Sequence, residues 1–469
     1  MLDKHYSTLH RAEVIPIPET SDAYSSFQEK PTMSDKKSLQ HQTHHAPAGG
    51  EDQLNSRLNR RQLLHMGLGL PMVLAATPEI SAEVQQDIPK KTIRLRKTVI
   101  EYSLPAAHET HELVAVNDQR MMLISQQTNS TLLKIVLDSN TGMAQSTYGC
   151  VVGQNEKSGL HGLRNSKAYP GMVWCAVQFD STLVLIDPVV SDVSAPVKVK
   201  QTIPIPSPGR GPHVVIEEGD YLWVTLKDSH HVLRINHRDP SDYRLYKSSR
   251  NPIFVAKHSN LGLLYTSQDQ SSKILCINPI THATHEIDIP EAMGNTPVGL
   301  IAGPDGNVWF VLLGNSQGGT GTFGRIVNNN RQDSDIQWFH LKNSLGKSAA
   351  LIHLAFEDSD AHGERPRLWL LSSSIVAPSA IDSLIEVRFD PDYKAIDTIA
   401  TSVFPTQLNK AHRVLPLQHG IYATELATSV LTHLVSNPAE DTTLYDETSD
   451  YYATFGLGVK ASAVKSYGS

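Results

Sequence analysis

Residues 297–310 read Pro297-Val298-Gly299-Leu300-Ile301-Ala302-Gly303-Pro304-Asp305-Gly306-Asn307-Val308-Trp309-Phe310, and Phe323-Gly324-Arg325-Ile326 follows after a glycine-rich link. Two short apolar runs, the second carrying a tryptophan, flank a Gly-Pro-Asp-Gly break, the pattern of paired strands rather than of a capped helix. The same unit recurs along the chain. Met121-Met122-Leu123-Ile124 precedes Leu132 to Val136, Val173-Trp174-Cys175-Ala176 precedes Leu183 to Asp187, and Leu222-Trp223-Val224-Thr225 precedes Val232 to Asn236. Leu264-Tyr265-Thr266-Ser267, Leu368-Trp369-Leu370-Leu371 and Ile421-Tyr422-Ala423-Thr424 open three more. Anchors at Leu123, Trp174, Trp223, Tyr265, Trp309, Trp369 and Tyr422 stand 42 to 60 residues apart, the length of a propeller blade.

Each unit is preceded by a strand reached through Gly or Pro and followed by an outer strand such as Tyr243 to Tyr246. Four strands in each of seven units predict an all-β chain, a seven-bladed β-propeller over residues 92–435. The run Thr92 to Pro105 has outer-strand character and stands ahead of the first unit, so it is expected to complete the last blade and close the ring. Closure removes the sheet edge that invites aggregation. Gly314 to Thr322 reads as a link between strands, Asp358 to Arg367 as a charged insertion serving as a lid or a surface loop, and 436–469 as a C-terminal tail.

The composition narrows the function. A net charge of −7 from 41 Lys+Arg and 48 Asp+Glu supplies no clustered positive surface, so neither nucleic acid nor an anionic membrane is expected as partner. Cys150, Cys175 and Cys276 form no C-x-x-C pair, which points to neither a disulfide framework nor a cysteine zinc site. Residues 1–58 are polar and aperiodic, a disordered extension. Residues 59–82 begin Asn59-Arg60-Arg61-Gln62-Leu63-Leu64 and continue into an apolar run interrupted by Gly67, Gly69 and Pro71. The run is shorter than the ~20 apolar residues of a spanning helix. It resembles a twin-arginine export signal, with Met33 as a candidate initiator, and implies a periplasmic or secreted product.

The 297–326 segment resembles the repeat of the virginiamycin B lyase (streptogramin lyase) family, whose blades read roughly P-x-G-I-x-x-G-P-D-G-x-x-W-F and then I-G-R-I. The other units keep the pattern with different residues. In such a ring the innermost strand starts at the top face and the second strand returns to it, so strand starts and second-strand ends share one rim. Aligned blade by blade, the strand starts are His111, His161, His213, Ile253, Val298, His353 and His412, five histidines in seven.

The resemblance implies a substrate-binding histidine at His353 and a catalytic one at His412, accompanied by carboxylates that hold Mg²⁺. Glu425 lies across the Gln418-His419-Gly420 turn from His412 and is expected as its cross-strand neighbour, as catalytic partner and metal ligand. The family has a glutamate two residues before its catalytic histidine; here Lys410 stands there, replacing an anionic ligand of a hard cation by an ammonium. The implied reaction opens a cyclic depsipeptide at an ester by elimination, without water. A general base removes a proton alpha to a carbonyl and an electrophile stabilises the developing charge. His412 would be the base, its ordinary pKa near 6.5 suiting neutral pH; a metal, Lys410 or a protonated histidine would be the electrophile. His111 and His213, with His353 and Lys410, are expected to line the ligand site.

Two other readings use the same residues. Converging imidazoles and one carboxylate suit Zn²⁺, Mn²⁺ or Fe²⁺ and a metal-dependent esterase or lactonase. A non-catalytic propeller would use the histidines for recognition of a small molecule or cyclic peptide. A monomer is expected in each case.

Overall fold

The computed structural model of the chain describes residues 98–107, 109–327, 336–343, 345–357 and 366–435, together with the short strands Val459–Ala461 and Lys465–Ser466. The disordered extension and export signal expected over 1–58 and 59–82 lie outside the described residues, as does most of the insertion after Glu357.

Seven sheets form around antiparallel meanders: six have four strands in chain order, the seventh has three and takes its fourth from the start of the chain, and two sheets carry a fifth strand. Their innermost strands are Thr110–Val116, Leu160–Asn165, Pro212–Glu218, Pro252–His258, Pro297–Ala302, Leu351–Glu357 and Ala411–Leu417. These define the first to seventh blades of a β-propeller. The ring closes as the sequence predicts: Val99–Ser103 pairs antiparallel with Val430–Val435, supplying the outer strand that the seventh blade lacks. Val459–Ala461 then pairs parallel with Val99–Ser103, and Lys465–Ser466 with the outer strand Ala144–Val151 of the first blade. The tail therefore covers the outer edges of the two blades on either side of the closure.

Every anchor residue is buried, from Leu123 and Trp174 to Tyr422. The repeat motif of the fifth blade has a physical basis. Asp305 accepts the indole N–H of Trp309 at 3.0 Å and pairs with Arg325 at 2.6 Å. One carboxylate thus ties the turn, the second strand and the third. Equivalent indoles are tied by Glu217, which accepts from Trp174 at 3.0 Å, and by Glu357, which accepts from Trp369 at 2.8 Å. Phe323, Phe339, Phe356, Phe389 and Tyr393 pack around Trp309 at ring-centroid distances of 5.2 to 6.4 Å, favourable stacked or edge-on separations.

Two features repeat at the top face. The residue after each second strand donates its backbone N–H to the residue before each first strand: Gln127 to Glu109, Gln178 to Gly159, Lys227 to Gly211, Asp269 to Asn251, Leu313 to Thr296, Ser373 to Ala350 and Leu426 to Lys410. Each first strand also breaks register immediately after its first residue. Such β-bulges re-aim a side chain without ending the strand. Here they aim it at the channel.

Candidate functional site

The register assigns one residue in each blade to the position directly after the strand start: His111, His161, His213, Ile253, Val298, Ile352 and His412. His353 is therefore displaced by one residue from its expected place. It shares the next position with Glu112, Gly162, Val214, Phe254, Gly299 and Arg413. The sixth blade is bulged at the same place as the others, between Leu351 and His353, which pair with Ser372 and Leu371, but it carries Ile352 at the bulge and its histidine one residue later.

Four of the expected histidines converge. His412 Nε2 and His111 Nδ1 lie 2.9 Å apart. The rings of His111 and His161 are 4.2 Å apart, and those of His161 and His213 are 3.9 Å apart. Together they floor the channel across blades seven, one, two and three. All are buried, with 2 to 6% of their surface exposed. Hydrogen bonds hold each ring. The Nδ1–H of His161 donates to the carbonyl of His213, and that of His213 to Ile253, each at 3.1 Å. His111 Nε2 contacts Gln127 Oε1 at 3.1 Å and lies 3.8 Å from Glu109 Oε2.

His353 lies in the layer below. Its Nδ1 accepts the Val414 N–H at 3.2 Å, and its ring packs 5.5 Å from Phe254. Arg413 sits 4.6 Å over the same phenyl ring and pairs with Glu112 Oε2 at 3.1 Å. This pair, its arginine buried and its glutamate partly so, crosses the junction between blades seven and one. Burial, and after it the Arg413 guanidinium, holds His353 and His412 well below the ordinary histidine pKa; burial dominates for His111, His161 and His213 too, with Arg413 contributing to each. The floor is a set of neutral imidazoles.

Glu425 does not meet His412. It pairs in register with Ala411, His412 being the bulged residue, and its carboxylate accepts the hydroxyls of Thr428 and Thr432. Burial pushes its pKa up to about 7, and the nearby Glu101 and Asp382 push the same way. The expected His412–Glu425 pair is thus corrected: a one-residue bulge moves the imidazole into the channel, while the carboxylate stays with its own blade. Asp382, also buried, accepts the N–H groups of Asn409 and Ala411 at 3.2 and 3.0 Å and positions the start of the seventh blade. Lys410 lies in that segment with φ 55°, a left-handed conformation unusual for a long side chain; Glu109, at the same place in the first blade, has φ 70°.

Neither Mg²⁺ nor the alternatives Zn²⁺, Mn²⁺ and Fe²⁺ fit these side chains. His412 Nε2 and His111 Nδ1 face each other, Glu425 serves two threonines, and Lys410 carries an ammonium. Among the described residues no group of three His, Cys, Asp or Glu is disposed to hold a metal ion.

Sequence reasoning passed over Gln127, Gln178 and Arg413. Gln127 and Gln178 directly follow second strands, and Arg413 directly follows His412, so their position in the repeat was the available signal. Also missed were the small hydroxyls opposite the bulges. Ser125 bonds the carbonyl of His161 in the next blade, Thr225 that of Ile253, Ser267 that of Val298 and Thr424 that of His111. They lock blade to blade at the level of the floor.

No protein-family model and no curated protein matches the sequence. Solved structures do match in fold. The selenomethionine-substituted crystal structure of virginiamycin B lyase from Staphylococcus aureus is 17% identical, with a TM-score of 0.53 over 73% of this chain and 100% of that one. A catalytically inactive histidine-to-alanine variant of the same lyase with quinupristin gives 16% and 0.54, over 73% of this chain and 100% of that one. The RRP9 WD40 repeats give 8% and 0.52, over 74% of this chain and 100% of that one. The chain has the propeller fold of virginiamycin B lyase, a fold it shares with WD40 rings as well.

Proposed function

We propose that the top face binds a cyclic depsipeptide or lactone and opens its ester by metal-free elimination, with His412 as general base. One observation carries this reading: His412 has Nε2 engaged by His111 while its buried Nδ1 has no hydrogen-bond partner. A neutral imidazole with one nitrogen fixed and the other uncommitted is equipped to take a proton. The base would take the proton from a carbon alpha to a carbonyl. The C–O bond on the adjacent carbon breaks, the ester oxygen leaves with its electron pair as carboxylate, and a C=C bond forms. No water is added. Lys410, half-buried at the rim beside the base, is the cation available to stabilise the developing charge. His111 and His213 shape the floor below the ligand, with His353 in the layer beneath.

A second reading, ligand binding without turnover, is favoured by a specific observation: the Glu425 carboxylate is withdrawn from His412 and engaged by Thr428 and Thr432. Purified protein incubated with quinupristin and with simple lactones separates the two. Elimination yields a linear product of unchanged mass, whereas hydrolysis adds one water. His412→Ala is expected to lower kcat/KM at least about a hundredfold, the usual worth of a general base. Binding with no turnover by the unaltered protein leaves the binding reading; turnover undiminished in His412→Ala removes His412 as the base. Export is part of the same proposal, supported by the Arg60-Arg61 segment. Paired Arg60→Lys and Arg61→Lys changes should retain the protein in the cytoplasm.

A further inference from the structure

The histidine floor is joined to the outer rim by a single file of hydrogen bonds. From His412 it runs to His111 at 2.9 Å, to Gln127 Oε1 at 3.1 Å, from Gln127 Nε2 to Gln178 Oε1 at 2.6 Å, and from Gln178 Nε2 to the Asp228 carboxylate at 3.3 and 3.4 Å. The file crosses blades seven, one, two and three. Asp228 is exposed at the rim, yet its carboxyl folds in over Gly211. A Cβ at Gly211 would lie 2.2 Å from Asp228 Oδ2, and Gly211 has φ +67°. No other residue type leaves that approach open.

We propose that Asp228 sets the tautomer of His412 from the far side of the ring, making Asp228, Gln178, Gln127 and His111 positioning residues for the base. The polarity follows link by link. An ionised carboxylate only accepts hydrogen bonds, so Gln178 presents its amide NH₂ to Asp228 and its oxygen to Gln127. Gln127 in turn presents NH₂ to Gln178 and its oxygen to His111. His111 must then carry its proton on Nε2, and Glu109 is a second acceptor on that side. A neutral His111 has an acceptor at Nδ1, so His412 donates from Nε2 and is left with a bare lone pair on Nδ1. His161 and His213 have the opposite tautomer, with Nδ1–H on the backbone carbonyls of His213 and Ile253.

The functional meaning rests on His412 being the base, but the tautomer does not. It is read by ¹⁵N–¹H imidazole correlation spectroscopy on the full chain labelled with ¹⁵N-histidine, the His412 signals assigned by their loss in His412→Ala. The expected result is a protonated Nε2 and bare Nδ1 at His412, with the reverse at His161 and His213 as internal references. The double variant Asp228→Asn, Glu109→Gln removes both acceptor-only ends and lets the file reverse. A protonated Nδ1 at His412, absent from the unaltered protein, should then appear as a minor population, held down by the cost of a buried N–H without an acceptor. Asp228→Glu with Glu109 retained should preserve the original pattern. Unchanged His161 and His213 signals report that the variants remain folded. A protonated Nδ1 in the unaltered protein, or no change in the double variant, overturns the proposal. Absence of turnover in a protein that shows the expected tautomers overturns only the catalytic reading.

Discussion

Blades seven, one, two and three place histidine at the bulge; blades four, five and six place Ile253, Val298 and Ile352 at the same position. The backbone is alike in the two arcs, but their surroundings differ. The aliphatic arc adjoins the largest buried apolar cluster, built around Trp309 and the aromatic rings of blades five and six. The histidine arc is joined by polar links and by the Arg413–Glu112 pair. The fifth blade, with the closest match to the repeat motif, contributes no titratable group to the floor. The repeat motif marks packing, and the chemistry sits where the repeat departs from it.

The contrast can be broken from the apolar side first. Trp309→Ala should cost about 3–5 kcal/mol, the range for an aromatic lost from a packed core, measured as a lower urea midpoint at unchanged slope. The histidine tautomers should survive in whatever remains folded. A cost below about 1 kcal/mol would show that the cluster does not hold this arc together.

The next effect lies at the closure, in Glu425. Its folded pKa, about 7 against an ordinary 4.5, means that the native state binds the proton more tightly than the unfolded chain. This contribution is fully present below pH 4.5 and is lost as pH rises through about 7, a loss of about 3 kcal/mol at 1.36 kcal/mol per unit. Glu425→Gln should remove that loss, so its stability relative to the unaltered protein rises between about pH 5 and 8 and then levels. A constant difference across that range would mean that Glu425 titrates normally.

The smallest effect tests the boundary between the arcs. His213→Ile gives the third blade the residue type of its neighbour. Because the folded His213 has a pKa well below 6.5, stability is lost as pH falls below 6.5, when only the unfolded chain takes up the proton. The variant should lie within about 1 kcal/mol of the unaltered protein near pH 8 and gain on it by up to about 1.4 kcal/mol per pH unit on the acid side. Parallel acid limbs in urea titrations would show that His213 is already protonated in the fold.

Blade number, ring closure through the strand before the first blade, and the gathering of His111, His161, His213 and His412 were legible in the primary structure. They follow from strand alternation, turn residues and a period of 42 to 60 residues, which are properties of local sequence. Two site assignments were not legible, for one reason. A bulge adds a residue to a strand without a marker in composition, and each added residue reverses which face the next side chain takes. In the sixth blade the bulged position falls on Ile352, one residue before His353, and in the seventh the bulge turns His412 away from Glu425.

Residue types and their spacing are enough to specify seven blades and a rim bearing histidines, because burying one apolar face per strand needs no knowledge of distant residues. Which imidazole touches which, which nitrogen is left without a partner, and whether Lys410 and Glu425 join them depend on groups hundreds of residues apart, such as His111 and His412, brought within 2.9 Å by ring closure. Their protonation follows from burial and from Arg413, neither of which exists until the ring has closed.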